Sequence, residues 1–208
     1  MILQKCFFIF TVCFAATIPF DLQLSFTNLK INNIFLVLLV AVAIPLGVRN
    51  AKQLRKAVFG PMLSFVGLYV LLMTGTLYSE NTDQALSDLL EKKIGLLVFP
   101  IIFCFLPRLN TRQTKTVLLG FTLSCAVTAM YCLSIALFHY AKYNDSTFLS
   151  YHSLSQIAGM HAIYMAMCFC FAIAILFHYF LSGHSNSRQV LAYSSVAALL
   201  CISIFLLV

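Results

Sequence analysis

The stretch IFLVLLVAVAI, residues 34–44, decides the fold class of this chain. It is a continuous apolar run, without the alternation of apolar and polar residues that the strands of a transmembrane barrel show. A membrane-spanning helix needs about 20 mostly apolar residues. Seven segments are candidates: about 2–20, 31–48, 58–78, 94–106, 116–139, 162–182 and 190–208. Because backbone groups in lipid must hydrogen-bond internally, we predict an all-α protein, a polytopic transmembrane helix bundle of about seven spans.

The composition excludes an ordinary soluble domain. Of the 208 residues, 62% are hydrophobic and 9% are charged, whereas soluble domains carry roughly 25% charged residues. The net charge is +7, but the sequence has no RNA- or DNA-binding motif, so nucleic acid is not a predicted partner. With no internal repeat and no soluble linker, residues 1–208 are predicted to form a single transmembrane domain.

The basic residues are distributed unevenly between alternate connecting segments. Nine basic residues and no acidic residue lie in the segments 1–5, 49–57, 107–115 and 183–189. The intervening segments contain all six acidic residues and four basic ones. Because an excess of Lys and Arg marks the cytoplasmic side, we predict a cytoplasmic N-terminus and outward-facing loops at 21–30, 79–93 and 140–161.

The first apolar segment has two interpretations. Lys5 followed by CFFIFTVCFAA is compatible with a cleaved signal peptide. The sequence has no clean small-x-small cleavage site, however, and further spans follow. These features favour a first helix that the mature protein retains.

The eight cysteines lie in or at the edges of apolar segments, and no CxxC pair occurs. In a membrane span, cysteine behaves as a small hydrophobic residue. The sequence therefore predicts neither a disulfide framework nor a metal site.

Residues 79–93 are predicted to form an amphipathic helix along the outer membrane surface. Asn81 and Gln84 have the spacing of a capping box, and leucines recur at helical spacing on one face. Lys92 and Lys93 stand where this polar segment meets the next apolar run. Either the two lysines extend to the interface from a surface anchor, or they contact the diphosphate of a lipid-linked substrate.

The second outward loop, residues 140–161, reads YAKYNDSTFLSYHSLSQIAGMH and mixes aromatic rings with hydroxyl and amide groups. Such groups stack on sugars and hydrogen-bond to them. The alternative is an aromatic belt at the level of the lipid headgroups. We select Tyr151, His161 and Tyr164 as candidate binding residues, together with Lys92 and Lys93.

Two parts of the chain carry a family resemblance. Residues 77–103, LYSENTDQALSDLLEKKIGLLVFPIIF, resemble the segment LYS-x-N…LEKKL-x-LLLFP of the O-antigen ligase family, particularly its Bacteroidetes-type members. The run His161-Ala162-Ile163-Tyr164 is similar to the His-Pro-Thr-Tyr that ends an outer loop in that family, with Ala162 and Ile163 in place of Pro and Thr. The resemblance covers most of residues 1–208, and Glu91-Lys92-Lys93 with Phe99-Pro100 contributes most to it.

The resemblance implies a multi-pass glycosyltransferase of the bacterial inner membrane that functions in lipopolysaccharide biosynthesis. Such enzymes transfer a glycan from undecaprenyl diphosphate to a sugar acceptor such as the lipid A core, and related polymerases extend the glycan. The implied partners are the lipid-linked glycan donor, the lipid A core or glycan acceptor, and membrane lipid. No cofactor and no metal is expected. Basic residues would stabilise the departing diphosphate.

The resemblance also implies that part of the enzyme is missing from this chain. Family members are about twice as long and carry their catalytic His and Arg in a later outer loop. Since the chain stops at Val208 within an apolar run, we expect an N-terminal half that is inactive alone, with no catalytic residue assigned. The alternatives are a transporter or flippase-like protein and a non-catalytic scaffold. Charged residues inside spans and inverted repeats would favour the transporter.

Overall fold

The computed structural model describes residues 2–20, 31–50, 56–76, 78, 97–98, 100, 109–149, 151–181 and 187–207. Within these ranges the chain is all-helical and contains no strand, as predicted. The α-helices are α1 Ile2–Thr17, α2 Ile31–Asn50, α3 Lys56–Thr76, α4 Thr111–Tyr143, α5 Tyr151–Gln156, α6 Ala162–Leu181 and α7 Ser187–Leu207. A short 3-10 helix, Ser146–Leu149, lies between α4 and α5.

Six of the seven predicted spans correspond to observed helices. The fifth is longer than predicted, because α4 extends beyond 116–139 at both ends. Of the predicted span 94–106, only residues 97, 98 and 100 are described, and they are helical. The predicted amphipathic helix at 79–93 lies outside the described residues.

Three of the described helices are long and apolar enough to cross a membrane: Thr111–Tyr143, Ala162–Leu181 and Gln189–Leu206. Shorter apolar helical stretches are Leu3–Thr17, Ile31–Gly47 and Met62–Thr76. These lengths and compositions support membrane association, since about 20 apolar residues are needed to span the hydrocarbon region.

The chain divides into two compact units, and the division falls within α1 and within α2. The first unit is Met1–Phe7 with Leu39–Arg108, and the second is Phe8–Leu38 with Leu109–Val208. The buried hydrophobic residues of the first unit come from α1, α2 and α3: Phe7, Leu39, Ala43, Leu46 and Tyr69.

The second unit is built on α4, α6 and α7, each of which contacts the other two. The connection between α4 and α6 returns the chain at one end, so these two helices are antiparallel. At the other end, the Nζ of Lys115 near the start of α4 lies 5.3 Å from the ring centre of Tyr179 near the end of α6. The start of α4 and the end of α6 therefore lie at one end of this unit, and the described residues of loop 140–161 lie at the other.

Small side chains on α4 allow its neighbours to approach closely. Four of them, spaced four, three and four residues apart, are completely buried: Cys125, Ala129, Cys132 and Ala136. They share one hydrophobic cluster with residues of α6, among them the fully buried Phe169. Small residues at helix contacts are typical of membrane proteins. Cys125 and Cys132 are free thiols.

A second stripe of small residues on α4 faces α1. A Cβ atom on Gly120 would lie 3.7 Å from Cγ1 of Val12, and the Oγ of Ser124 donates a hydrogen bond to the carbonyl oxygen of Ala16. Thr128, one turn further along, is buried and donates to the carbonyl oxygen of Ser124 at 2.9 Å. The sequence predicts this stripe from the four-residue spacing of Gly, Ser and Thr, and the contacts of Gly120 and Ser124 confirm it.

The outer faces of these helices are as apolar as the inner ones. On α6, for example, Met167, Phe171 and Phe177 are all more than half exposed. Apart from Ser124, several hydroxyl groups on the helices donate to carbonyl oxygens of their own helix, as Ser134 does to Met130 at 2.7 Å and Ser203 to Leu199 at 2.9 Å. An exposed apolar surface of this extent indicates a lipid environment, and bonding of hydroxyls to the backbone lowers their cost there.

We predict that Ser124→Ala destabilises the second unit, because the Ala16 carbonyl loses its donor from α4. In membrane proteins such an interhelical hydrogen bond contributes about 0.6 kcal/mol, with a maximum of about 1.7. The measurement is the free energy of unfolding in a detergent titration. Ser134→Ala is the matched control, because that exposed hydroxyl bonds only within α4. Equal losses in both variants would contradict the assignment.

Candidate functional site

Polar and aromatic groups gather in the connection between α4 and α6, which we call the cap, residues 144–161. It contains the 3-10 helix and α5. The short helix α5 contacts α4, α6 and α7, as well as the 3-10 helix. The cap therefore closes one end of the second unit and does not extend away from it.

The chain enters the cap through a left-handed residue. Asn144 has φ 51° and ψ 35°, and its backbone N–H donates to the carbonyl oxygen of Tyr140 at 2.8 Å. Asparagine tolerates this conformation better than other non-glycine residues. Oδ1 of the exposed Asp145 then accepts a hydrogen bond from the backbone N–H of Thr147 at 2.9 Å. That hydrogen bond favours the ionised carboxylate and holds the pKa of Asp145 below its usual value.

Within the cap, the chain leaves α5 through a glycine turn. The N–H of Met160 donates to the carbonyl oxygen of Ser155 at 3.3 Å, and that of Gly159 to Gln156 at 3.0 Å. Gly159 has φ 71°, so this pair of bonds is a Schellman motif. Leu154 is fully buried and belongs to the core cluster of the unit. The cap is therefore anchored to the unit by an apolar contact.

Three rings where α4 meets the cap form an aromatic cluster, which we define as His139, Tyr143 and Phe148. Ring centres are 5.9 Å apart for His139 and Tyr143, 5.3 Å for His139 and Phe148, and 5.8 Å for Tyr143 and Phe148. The Nζ of Lys142 lies 5.2 Å from the centre of the Tyr143 ring, within the range of a cation–π contact. The cluster thus combines ring faces with a cation.

The imidazole of His139 has a polar atom with no hydrogen-bond partner in the described part of the chain. Its Nδ1 is buried and makes no hydrogen bond to any described residue. Tyr143, by contrast, is 55% exposed. An unsatisfied buried nitrogen costs about 1–3 kcal/mol, so the structure favours a water or ligand group that reaches it.

A second pair of rings stands at the start of α6. His161 is the N-cap residue of this helix: its carbonyl oxygen accepts from Met165 N–H at 3.2 Å, and its Nδ1 accepts from Ile163 N–H at 3.4 Å. The rings of His161 and Tyr164 are 6.2 Å apart at 70°. Both side chains are exposed. The structure therefore brings these two predicted residues together.

The structure describes the remaining predicted site residues only in part or not at all. Tyr151 is the first residue of α5, but its side chain is not among those described. Lys92 and Lys93 lie outside the described residues. The aromatic cluster was not among the predicted residues, although the spacing of four between His139 and Tyr143 was a signal for adjacent rings on a helix. In the described part of the chain, no group of three or more His, Cys, Asp or Glu side chains is placed to hold a metal ion.

The cap and the adjoining end of α4 therefore present exposed rings, an imidazole, and the ammonium group of Lys142 at one end of apolar helices. Ring faces stack on the apolar faces of sugars, and imidazole and phenol groups hydrogen-bond to sugar hydroxyls. The same rings also fit the headgroup level of a bilayer, where Tyr is enriched. Both interpretations place the cap at the membrane surface.

We predict opposite effects of two substitutions at the left-handed position. Asn144→Gly is expected to preserve or slightly increase the stability of the cap, whereas Asn144→Val should lower it by about 1–2 kcal/mol, because a β-branched side chain is strained there. Thermal unfolding of the two variants in the same detergent tests this. Equal melting temperatures would contradict the left-handed conformation.

The Asp145 turn should depend on pH. Because the folded pKa of Asp145 is lowered, the hydrogen bond from Thr147 is fully formed above the ordinary aspartate value of about 3.9 and is lost as the pH falls through the folded pKa. NMR of the Thr147 amide should show an inflection below that ordinary value, and Asp145→Asn should abolish it. An inflection at or above the ordinary aspartate pKa would contradict the assignment of this hydrogen bond.

Comparison with known proteins found no match that bears on the role of the cap. No family model matches the chain, and no curated protein or solved structure matches it either.

Proposed function

We propose that this chain is part of a membrane glycosyltransferase of the O-antigen ligase type. Its donor is a glycan on undecaprenyl diphosphate, and its acceptor is a sugar hydroxyl, such as one of the lipid A core. The observation that carries the proposal is the cap together with the adjoining end of α4: aromatic rings and two histidines, His139 and His161, at one end of helices that are apolar enough to span a membrane.

The proposal includes a membrane topology of about seven spans in the bacterial inner membrane. The N-terminus is cytoplasmic, and the cap faces outward. The distribution of charge supports this orientation, because the described cations Arg112 and Lys115 lie at the end of α4 remote from the cap. In this orientation the cap lies where a flipped lipid-linked glycan is available.

We assign the sugar to the exposed rings and the diphosphate to the lysines. Tyr164 and Tyr143 offer exposed rings for stacking, and the Nδ1 of His139 offers an unused hydrogen-bonding position. We add the two predicted cap residues Tyr151 and His161 to the proposed sugar-binding residues. Lys92 and Lys93 contact the diphosphate, whose negative charge grows as the glycosidic oxygen departs.

Deletion of the gene in its native host tests the proposal. We expect lipopolysaccharide without its polymeric glycan, together with accumulation of undecaprenyl diphosphate-linked glycan on the outer face of the inner membrane. Accumulation on the cytoplasmic face would instead indicate a flippase. An unchanged lipopolysaccharide ladder and an unchanged donor pool would contradict both functions.

Complementation then tests the lysines. The double variant Lys92→Ala with Lys93→Ala should restore roughly tenfold less of the lipopolysaccharide ladder than the wild-type gene, because the departing diphosphate loses two cations. The matched control is Lys52→Ala with Lys56→Ala, which removes two cations from a predicted cytoplasmic segment. Normal complementation by the first double variant at unchanged expression would defeat the diphosphate assignment.

A further inference from the structure

The end of the second unit opposite the cap has a charge pattern that the proposed function does not use. We call it the basic end and define it by Arg112, Lys115 and Tyr179. Arg112 and Lys115 are three residues apart on α4 and therefore lie on the same side of the helix. Arg112 is exposed, while Lys115 and Tyr179 are half-buried.

No described acidic residue neutralises this end. Among the described residues the sole carboxylate side chain is that of Asp145, which lies in the cap at the opposite end. Lys115 instead places its Nζ over the ring of Tyr179 at 5.3 Å. An ammonium group held against a ring face keeps N–H donors available for an anion.

The position of the basic end selects the kind of anion. Exposed apolar side chains continue directly from it along α6 and α7, including Phe177, Phe180 and Leu191. A free anion gains nothing from these surfaces, whereas a phospholipid places acyl chains along them and its phosphate at the level of the cations. The positive end of the α4 dipole adds to the attraction.

We propose that the basic end binds an anionic phospholipid of the phosphatidylglycerol class. The guanidinium of Arg112 and the ammonium of Lys115 contact the phosphate, and the acyl chains lie on the exposed faces of α6 and α7. This inference is independent of the proposed glycosyl transfer, since it uses neither the cap nor a lipid-linked glycan.

Native mass spectrometry of the full chain in a neutral detergent tests the proposal. Phosphatidylglycerol and phosphatidylcholine with identical acyl chains are titrated separately, and the dissociation constant of the first bound lipid is measured. The wild-type chain is expected to prefer phosphatidylglycerol. In Arg112→Gln with Lys115→Gln, the affinity for phosphatidylglycerol should fall roughly thirtyfold, with the affinity for phosphatidylcholine unchanged.

The matched control is Lys142→Gln in the last turn of α4, beside the cap, because Lys142 has nearly the same contact with a tyrosine ring, at 5.2 Å. This control should bind phosphatidylglycerol as the wild type does, and Lys115→Arg should retain the preference. Unchanged phosphatidylcholine binding and helical circular dichroism establish that each variant is folded. If the double variant fails this check, the single variant Arg112→Gln, at an exposed position, is used instead. Its affinity for phosphatidylglycerol is expected to fall roughly fivefold.

Four results would overturn the proposal. The first is equal wild-type affinity for the two lipids. The second is wild-type affinity for phosphatidylglycerol in a folded basic-end variant. The third is an equal loss of phosphatidylglycerol affinity in Lys142→Gln. The fourth is displacement of phosphatidylglycerol by millimolar inorganic phosphate, which would identify a site for free phosphate.

Discussion

The apolar outer surface of the helices is the constraint on which the rest of this structure depends. Because residues such as Phe171 and Phe177 face outward, this surface suits a hydrocarbon solvent, in which the backbone has to satisfy its own hydrogen bonds. Helices meet this requirement without partners. Hydroxyls such as those of Thr122 and Ser203 bond to the preceding turn, so they add little polar surface to the lipid-facing region.

In such a solvent, hydrophobic burial alone does not hold helices together, because lipid is as apolar as a protein core. Close packing and interhelical hydrogen bonds must contribute instead. The second unit has both: fully buried small residues such as Ala129 and Cys132 on α4, and the bond from Ser124 to the Ala16 carbonyl. Large side chains such as Phe169 fill the space that small neighbours leave.

The same constraint moves polar chemistry to the two ends of the unit. At each end a lysine lies over a tyrosine ring, Lys115 over Tyr179 and Lys142 over Tyr143. The surroundings of the two pairs differ. The end beside the cap adds further rings and the imidazole of His139, whose Nδ1 has no hydrogen-bond partner among the described residues, and these groups suit a sugar. The basic end adds Arg112, which suits an anionic headgroup.

The sequence by itself determined the helical fold class and most helix positions, because runs such as residues 34–44 and 162–182 allow a single backbone solution in lipid. It also predicted the Gly120 and Ser124 contact, since small residues four apart define a surface for close approach. Function was predictable only as a resemblance, and that resemblance stays a hypothesis. Only the tertiary structure decided which rings meet. His139 and Phe148 belong to different helices, and their stacking depends on the left-handed turn at Asn144. The pairing of Lys115 with Tyr179 likewise depends on the antiparallel packing of α4 and α6, which no local spacing encodes.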